Sequence, residues 1–201
     1  MMNMSDAPFS CTIREATVAD APTLANVHVA CWRETYPGLI PEAIIDRLSV
    51  QDRTQRWHDM LGNPDAYNRT IALLAECGGK VVGFGSYSDQ HAAELKRIGF
   101  TGEIGAIYLL RQAQKQGLGL ILMAAMARGL IGHGHEAASL WVLRENGQAR
   151  SFYEQLGGQV VGQKEDKRGE AVLIEVAYGW RDLPLLSRCD QSSTPDRAAT
   201  S

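Results

Sequence analysis

Residues 12–16 (TIREA) alternate between apolar and polar positions and predict a short strand. The amphipathic run over 19–36 predicts a helix with Asp20 placed to cap it, and Pro37-Gly38 stops it. Pro41-Glu42 opens a second helix to about residue 48, and 51–61 forms a third that ends at Gly62-Asn63-Pro64. Two β-rich segments, 70–76 and 80–87, flank Cys77-Gly78-Gly79 and predict an antiparallel hairpin. After a charged connection over 89–102, the segment 103–110 (EIGAIYLL) is almost continuously apolar, the pattern of a strand covered on both faces. The stretch 117–132 carries one charged residue, Arg128, and a helix apolar all round belongs in the interior. A strand over 139–143, a helix over 147–156 ending at Gly157-Gly158, and a closing hairpin of 159–163 with 171–178 complete the pattern. The charge run 164–170 between those last two strands reads as a solvated turn. Strands and helices are interspersed without regular βαβ alternation, which implies a mixed sheet with helices on both faces. Residues 12–180 make one domain; 1–11 and 181–201, which lack periodicity, are expected to be flexible tails.

Composition adds boundaries to this picture. A chain of 201 residues, 45% hydrophobic, is long enough for one domain with a substantial core. A net charge of −3 argues against a nucleic-acid or anionic-membrane partner, both of which call for a cationic face. No apolar run approaches the roughly 18 residues that span a bilayer, and the first ten residues do not read as a secretory leader. Cys11, Cys31, Cys77 and Cys189 are widely spaced with no C-x-x-C pair, so reduced thiols and a cytoplasmic location are expected.

The candidate chemistry centres on Gln114-Lys115-Gln116-Gly117-Leu118-Gly119, between the apolar strand and the apolar helix. Such a turn exposes backbone N–H groups at a helix N-terminus, a site suited to phosphate or pyrophosphate. The same glycines would also permit close strand-to-helix packing. A dinucleotide fingerprint would need glycine at 122, which is Leu122, and the Gly-Lys-Ser/Thr of a P-loop is missing. Gly132-His133-Gly134-His135 lacks further ligands at metal-site spacing and reads as an exposed loop. His135-Glu136 begins an H-E-x-x-H pattern that fails at Ser139.

The Gln-x-x-Gly-x-Gly turn after an apolar strand, followed by a helix, a strand and Asn146…Ala149…Phe152-Tyr153…Leu156-Gly157, resembles the GCN5-related N-acetyltransferase (GNAT) family. The segment from Cys31 through Trp32-Arg33-Glu34-Thr35-Tyr36-Pro37-Gly38 to Pro41 is similar to the first-helix region of many bacterial members, so the resemblance covers about residues 12–178. It implies an α/β (α+β) fold with a mixed, mostly antiparallel sheet of about six or seven strands and helices on both faces. It also implies acetyl-CoA as co-substrate, no metal, and an amine acceptor on a small molecule or peptide. The pyrophosphate would sit on the amides of Gln114, Lys115, Gln116, Gly117, Leu118, Gly119 and Leu120, and the pantetheine arm along Ile107, Tyr108 and Leu109. Asn146 either caps its helix or contacts that arm, or does both.

Transfer to an amine needs a neutral nucleophile, a polarised carbonyl and a proton for the departing thiolate. By family position, Glu103 is the candidate base, acting through water because it lies roughly 13 Å along a straight strand from Ile107; its rival role is to solubilise the strand entrance. Tyr153 is the candidate general acid, and Ala149, Phe152, Tyr153 and Leu156 equally form a packing stripe. A main-chain N–H near Ile107 would polarise the carbonyl. Trp32, Arg33, Glu34, Tyr36, Trp57 and His58 lie where the family walls its acceptor pocket, with Trp32 and Tyr36 as substrate candidates, or they pack the core. The net charge favours a cationic amine over an anionic acceptor. A non-catalytic CoA-binding module with the same fold is the alternative function, and the resemblance also admits a homodimer.

Overall fold

The computed structural model describes residues 11–191. A seven-stranded sheet of order β1-β2-β3-β4-β5-β7-β6 runs through it. Its strands are β1 Cys11–Glu15, β2 Ile71–Cys77, β3 Lys80–Asp89, β4 Gly102–Leu109, β5 Ala138–Leu143, β6 Gln159–Arg168 and β7 Ala171–Trp180. The helices are α1 Ala21–Thr35, α2 Glu42–Asp46, α3 Val50–Gly62, α4 Ala93–Arg97, α5 Leu118–Gly132, α6 Gly147–Gln155 and α7 Leu183–Leu186. All neighbouring strands are antiparallel except β4 and β5.

The β2–β3 turn takes positive φ at both Gly78 (58°) and Gly79 (75°), the backbone that matches strand twist and that glycine supplies without strain. On one face of the sheet α5 is buried, with Leu122, Met123, Met126 and Leu130 fully enclosed beside Ile104, Leu140 and Tyr178. Each such side chain is worth about 1.5–3 kcal/mol of burial. Gly129 lets this helix approach β3, since a Cβ there would stand 2.3 Å from the Tyr87 ring. On the opposite face α1 and α3 close over Leu74 and Phe84 with Leu24, Ala25 and Trp57, and Trp32 with Ile40, Leu143 and Leu173 forms a separate small core.

Five expectations are corrected. The 89–102 connection contains α4, with Leu95 buried. The 164–170 run is no turn: residues through Arg168 continue β6, and alternation turns Lys164, Asp166 and Arg168 inward while Glu165 and Lys167 face water. The stretch after 181 is not loose as far as it is described. Leu183 and Leu186 are buried in the α5 core, and Arg128 ties that helix to the Ser187 carbonyl and Asp190. Cys11 and Cys77 oppose each other in the β1–β2 register and are joined as a disulfide, whereas Cys31 and Cys189 are free. Asp20 makes no capping bond to α1, because its carboxylate turns back to the Thr17 N–H and to Arg14. The expected tails over 1–10 and 192–201 lie outside the described residues.

Candidate active site

β4 and β5 run parallel but pair only at Gly102↔Ala138 and Glu103↔Ser139. Beyond that point they separate, β4 staying with β3 and β5 with β7. A register shift in the β3–β4 pairing skips Gly105, bending β4 where the separation starts. Residues 105–109 are exposed or half-buried, although the sequence reads as a strand covered on both faces. An apolar strand with backbone groups unpaired along one edge is built to accept an extended ligand.

The turn that follows β4 leads to α5. Gly117 occupies its N-cap position with φ 81°, and Lys115 also has positive φ (59°). A Cβ on Gly117 would meet nothing within 4 Å, so its backbone conformation, not space, calls for glycine. At Gly119 the reason is proximity, since a Cβ would come 3.2 Å from Phe152. The Gln114 amide donates to the Arg111 carbonyl and the Leu120 amide to the Gly117 carbonyl, which leaves the amides of 115–119 free among the described residues. Of the seven amides expected to face an anion, those of Gln114 and Leu120 are thus engaged locally. Unpaired amides at a helix start with no acidic side chain in its first turn suit a pyrophosphate. The Gln114 side chain braces the turn, its amide donating to the Leu109 carbonyl (3.0 Å) and its oxygen accepting from Gln148 (3.2 Å).

Three phenols converge near the separation. Tyr36 and Tyr108 hydroxyls lie 3.0 Å apart, and Tyr153 is close enough to raise the pKa of Tyr36 and to have its own raised by Tyr108. Burial is the main cause in each case, and Tyr153 is held above the ordinary phenol range, fully protonated at working pH. The Tyr153 hydroxyl bonds to no described residue, while its ring packs against Tyr178 and Trp180. Ile107 and Leu109 point to the α5 side, and Tyr108 points to the α1 side. Asn146 caps α6, its Oδ1 accepting from Ala149 N–H at 3.2 Å.

Glu103 sits where the strands still pair, and the structure does not bring it to the phenols. Its buried carboxylate accepts from the backbone N–H of His91 (3.2 Å) and contacts the His91 ring Nδ1. Burial raises its pKa and His91 opposes the rise. Of the residues expected to wall an acceptor pocket, Trp32 and Tyr36 do line the small core beside Tyr108. Trp57 is core, Arg33 and His58 are outside, and Glu34 ties α1 to the turn after β4, accepting from the Arg111 N–H at 2.7 Å. His135 is buried, not exposed, between Thr101 and Asp89. Among the described residues no group of three His, Cys, Asp or Glu could hold a metal. Sequence reasoning missed Arg53 and Arg168, which flank Trp32 at 5.4 and 5.6 Å from its ring centre; the inward alternation of 164, 166 and 168 was hidden because both faces of β6 are charged.

A parted sheet opening beside unpaired amides at a helix start is an arrangement suited to an extended ligand that carries an anion. The chain belongs to the GNAT acetyltransferase family, whose model matches residues 25–158. It is 31% identical over 175 residues to the uncharacterised N-acetyltransferase YuaI of Bacillus subtilis, covering 87% of this chain and 95% of that one. The fold is shared with the PaiA N-acetyltransferase of Thermoplasma acidophilum in complex with coenzyme A (TM-score 0.64, 21% identity, covering 83% of this chain and 98% of that one). It is shared as well with the yncA structure from Salmonella typhimurium, solved with its cofactor acetyl-CoA (TM-score 0.62, 18% identity, 94% and 99% covered). No helix among the described residues is long and apolar enough to cross a membrane.

Proposed function

We propose that the protein transfers the acetyl group of acetyl-CoA to a primary amine of a small molecule or peptide, by direct attack in a ternary complex. The observation that carries this is the two-residue β4–β5 pairing, which leaves the β4 edge open next to the free amides of 115–119. In this reading those amides hold the pyrophosphate. Residues 107–109 pair with the pantetheine arm as an added strand, and Asn146 donates to it from the side-chain amide N–H that the α6 cap leaves unused.

The amine lone pair attacks the thioester carbon, polarised by a main-chain N–H near Ile107. The C–N bond forms as the C–S bond breaks, and Tyr153 gives its proton to the departing sulfur. Glu103 takes the proton lost by the amine through water, its buried carboxylate being a stronger base than an exposed one. The nearby relatives support the co-substrate, since coenzyme A and acetyl-CoA are named with two structures of this fold. The cytoplasm, where acetyl-CoA is at hand, is the setting this activity implies.

The test is thiol release from acetyl-CoA over an amine panel, with acetyl-CoA binding followed by calorimetry. Turnover with at least one amine, lowered about a hundredfold in Tyr153→Phe, supports the reading. Absence of acetyl-CoA binding overturns it, and binding without turnover on any amine makes the protein a non-catalytic CoA module.

A further inference from the structure

The acceptor side of the site carries an unbalanced set of hydrogen-bond donors. Arg53, on α3, and Arg168, at the end of β6, both lie against Trp32, 5.4 and 5.6 Å from its ring centre. Arg53 is half-buried and forms no ion pair among the described residues. Instead its burial, and then the positive charges of Arg56 and Arg168, lower its pKa. Arg168 uses its Nε on Asp166 at 2.6 Å and keeps its two terminal nitrogens. Trp32 is 9% exposed, and its indole N–H is buried without a hydrogen-bond acceptor; it lies near enough to Tyr108 to influence that phenol but not in bonding geometry. The outer side of Arg53 opens onto a cleft of about 210 Å³ lined also by Arg47, Ser49, Asp52 and Arg56.

Bringing guanidinium groups together in a half-dry site costs free energy that a resident carboxylate would normally offset. Among the described residues Arg53 pairs with no carboxylate, Arg168 pairs with Asp166 through its Nε, and Asp52 lines the cleft beside Arg53. A buried N–H without an acceptor adds a second, independent deficit of the same sign. What satisfies all three is a group that only accepts hydrogen bonds and carries negative charge, and guanidinium forks match planar or tetrahedral oxyanions bidentately. The phenols Tyr36 and Tyr108 connect this spot to Tyr153, so such a group would lie on the same molecule as the attacking amine.

We infer that the acceptor is an amine bearing an oxyanion, a carboxylate or a phosphate, which Arg53, Arg168 and the Trp32 N–H receive. This rests on the acetyltransferase reading above, and it reverses the cationic preference that the net charge of −3 suggests.

The experiment uses matched pairs on the full chain: L-alanine against L-alaninamide and ethylamine, and O-phosphoethanolamine against ethanolamine, with spermidine as the polycation. Thiol release gives kcat/KM, and thermal stabilisation in the presence of coenzyme A gives binding without needing turnover. The oxyanion member of one pair should exceed its neutral partner at least tenfold in kcat/KM, or be the only member that raises Tm; which pair responds separates carboxylate from phosphate. Arg53→Gln and Arg168→Gln should each erase most of that preference, and Trp32→Phe part of it, with acetyl-CoA affinity held within about twofold. Arg168 is the safer variant because its side chain is one-third exposed. Equal use of both members of every pair, or preference for the neutral amines or spermidine, overturns the inference while leaving acetyl transfer standing. If acetyl-CoA itself fails to bind, the underlying reading falls first, and the thermal shift by the oxyanion amines still decides this one.

Discussion

His28 should make the protein measurably acid-sensitive. The ring is enclosed by Trp32, Trp57, Phe84 and Tyr108, and its Nδ1 accepts a long hydrogen bond from the Trp57 indole at 3.4 Å. Burial, then the charges of Arg53 and Arg56, push its pKa from 6.5 down to about 3, so it is neutral in the folded state. The pKa is depressed on folding, and protonation therefore favours the unfolded chain. Stability is fully present above about pH 6.5 and is lost as pH falls toward 3. At pH 5 the loss is set by the unfolded pKa alone and amounts to about 2 kcal/mol, rising to about 3 kcal/mol at pH 4. Urea unfolding of wild type and His28→Gln at pH 8, 7, 6 and 5 isolates this contribution. Depressed carboxylates such as Asp20 and Asp89 act in both proteins and cancel. Between pH 8 and 5 the wild type should lose about 2 kcal/mol more than the variant. Parallel curves, agreeing within about 0.5 kcal/mol, would refute a neutral, enclosed His28.

Three other outcomes are expected. Tyr153→Phe should lower kcat on the best amine by about a hundredfold, read by thiol release, with acetyl-CoA affinity little changed because the hydroxyl bonds to no described residue. Gly117→Ala should cost about 1 kcal/mol in denaturant unfolding, since φ 81° strains an L-residue, and should weaken acetyl-CoA in calorimetry by placing a methyl among the free amides of 115–119. In air-oxidised protein, thiol titration after unfolding should find two reactive cysteines, Cys31 and Cys189, and four after reduction. Because the Cys11–Cys77 link closes a 66-residue separation, reduction should lower stability by up to about 4 kcal/mol.

The strand and helix sequence of the fold is legible because periodicity reports burial. The apolar 117–132 run is α5 and 103–110 is β4, each to within a residue or two. Periodicity is silent where both faces are polar, which is why Lys164, Asp166 and Arg168 read as a turn and the donors around Trp32 went unseen. Register is equally invisible, so nothing in the spacing of Cys11 and Cys77 foretold their meeting across β1 and β2. The Gly117 turn was readable because a positive φ leaves a residue-type mark, whereas the fact that Gln114 and Leu120 spend their amides locally depends on three-dimensional closure. Glu103 illustrates a further limit: sequence places it at the strand entrance, and only packing reveals His91 as its partner.

The two-residue joint between β4 and β5 has a mechanical meaning. The sheet is two leaves, β1–β4 and β5–β7–β6, stitched at Gly102–Glu103 and Ala138–Ser139. Rotating one leaf against the other would change the width of the opening while breaking almost no main-chain hydrogen bonds, and what resists it is α5, packed across both leaves on Ile104 and Leu140. A molecule that bridges the seam acts as a missing strand, and its occupancy would appear as slowed amide exchange along 105–109.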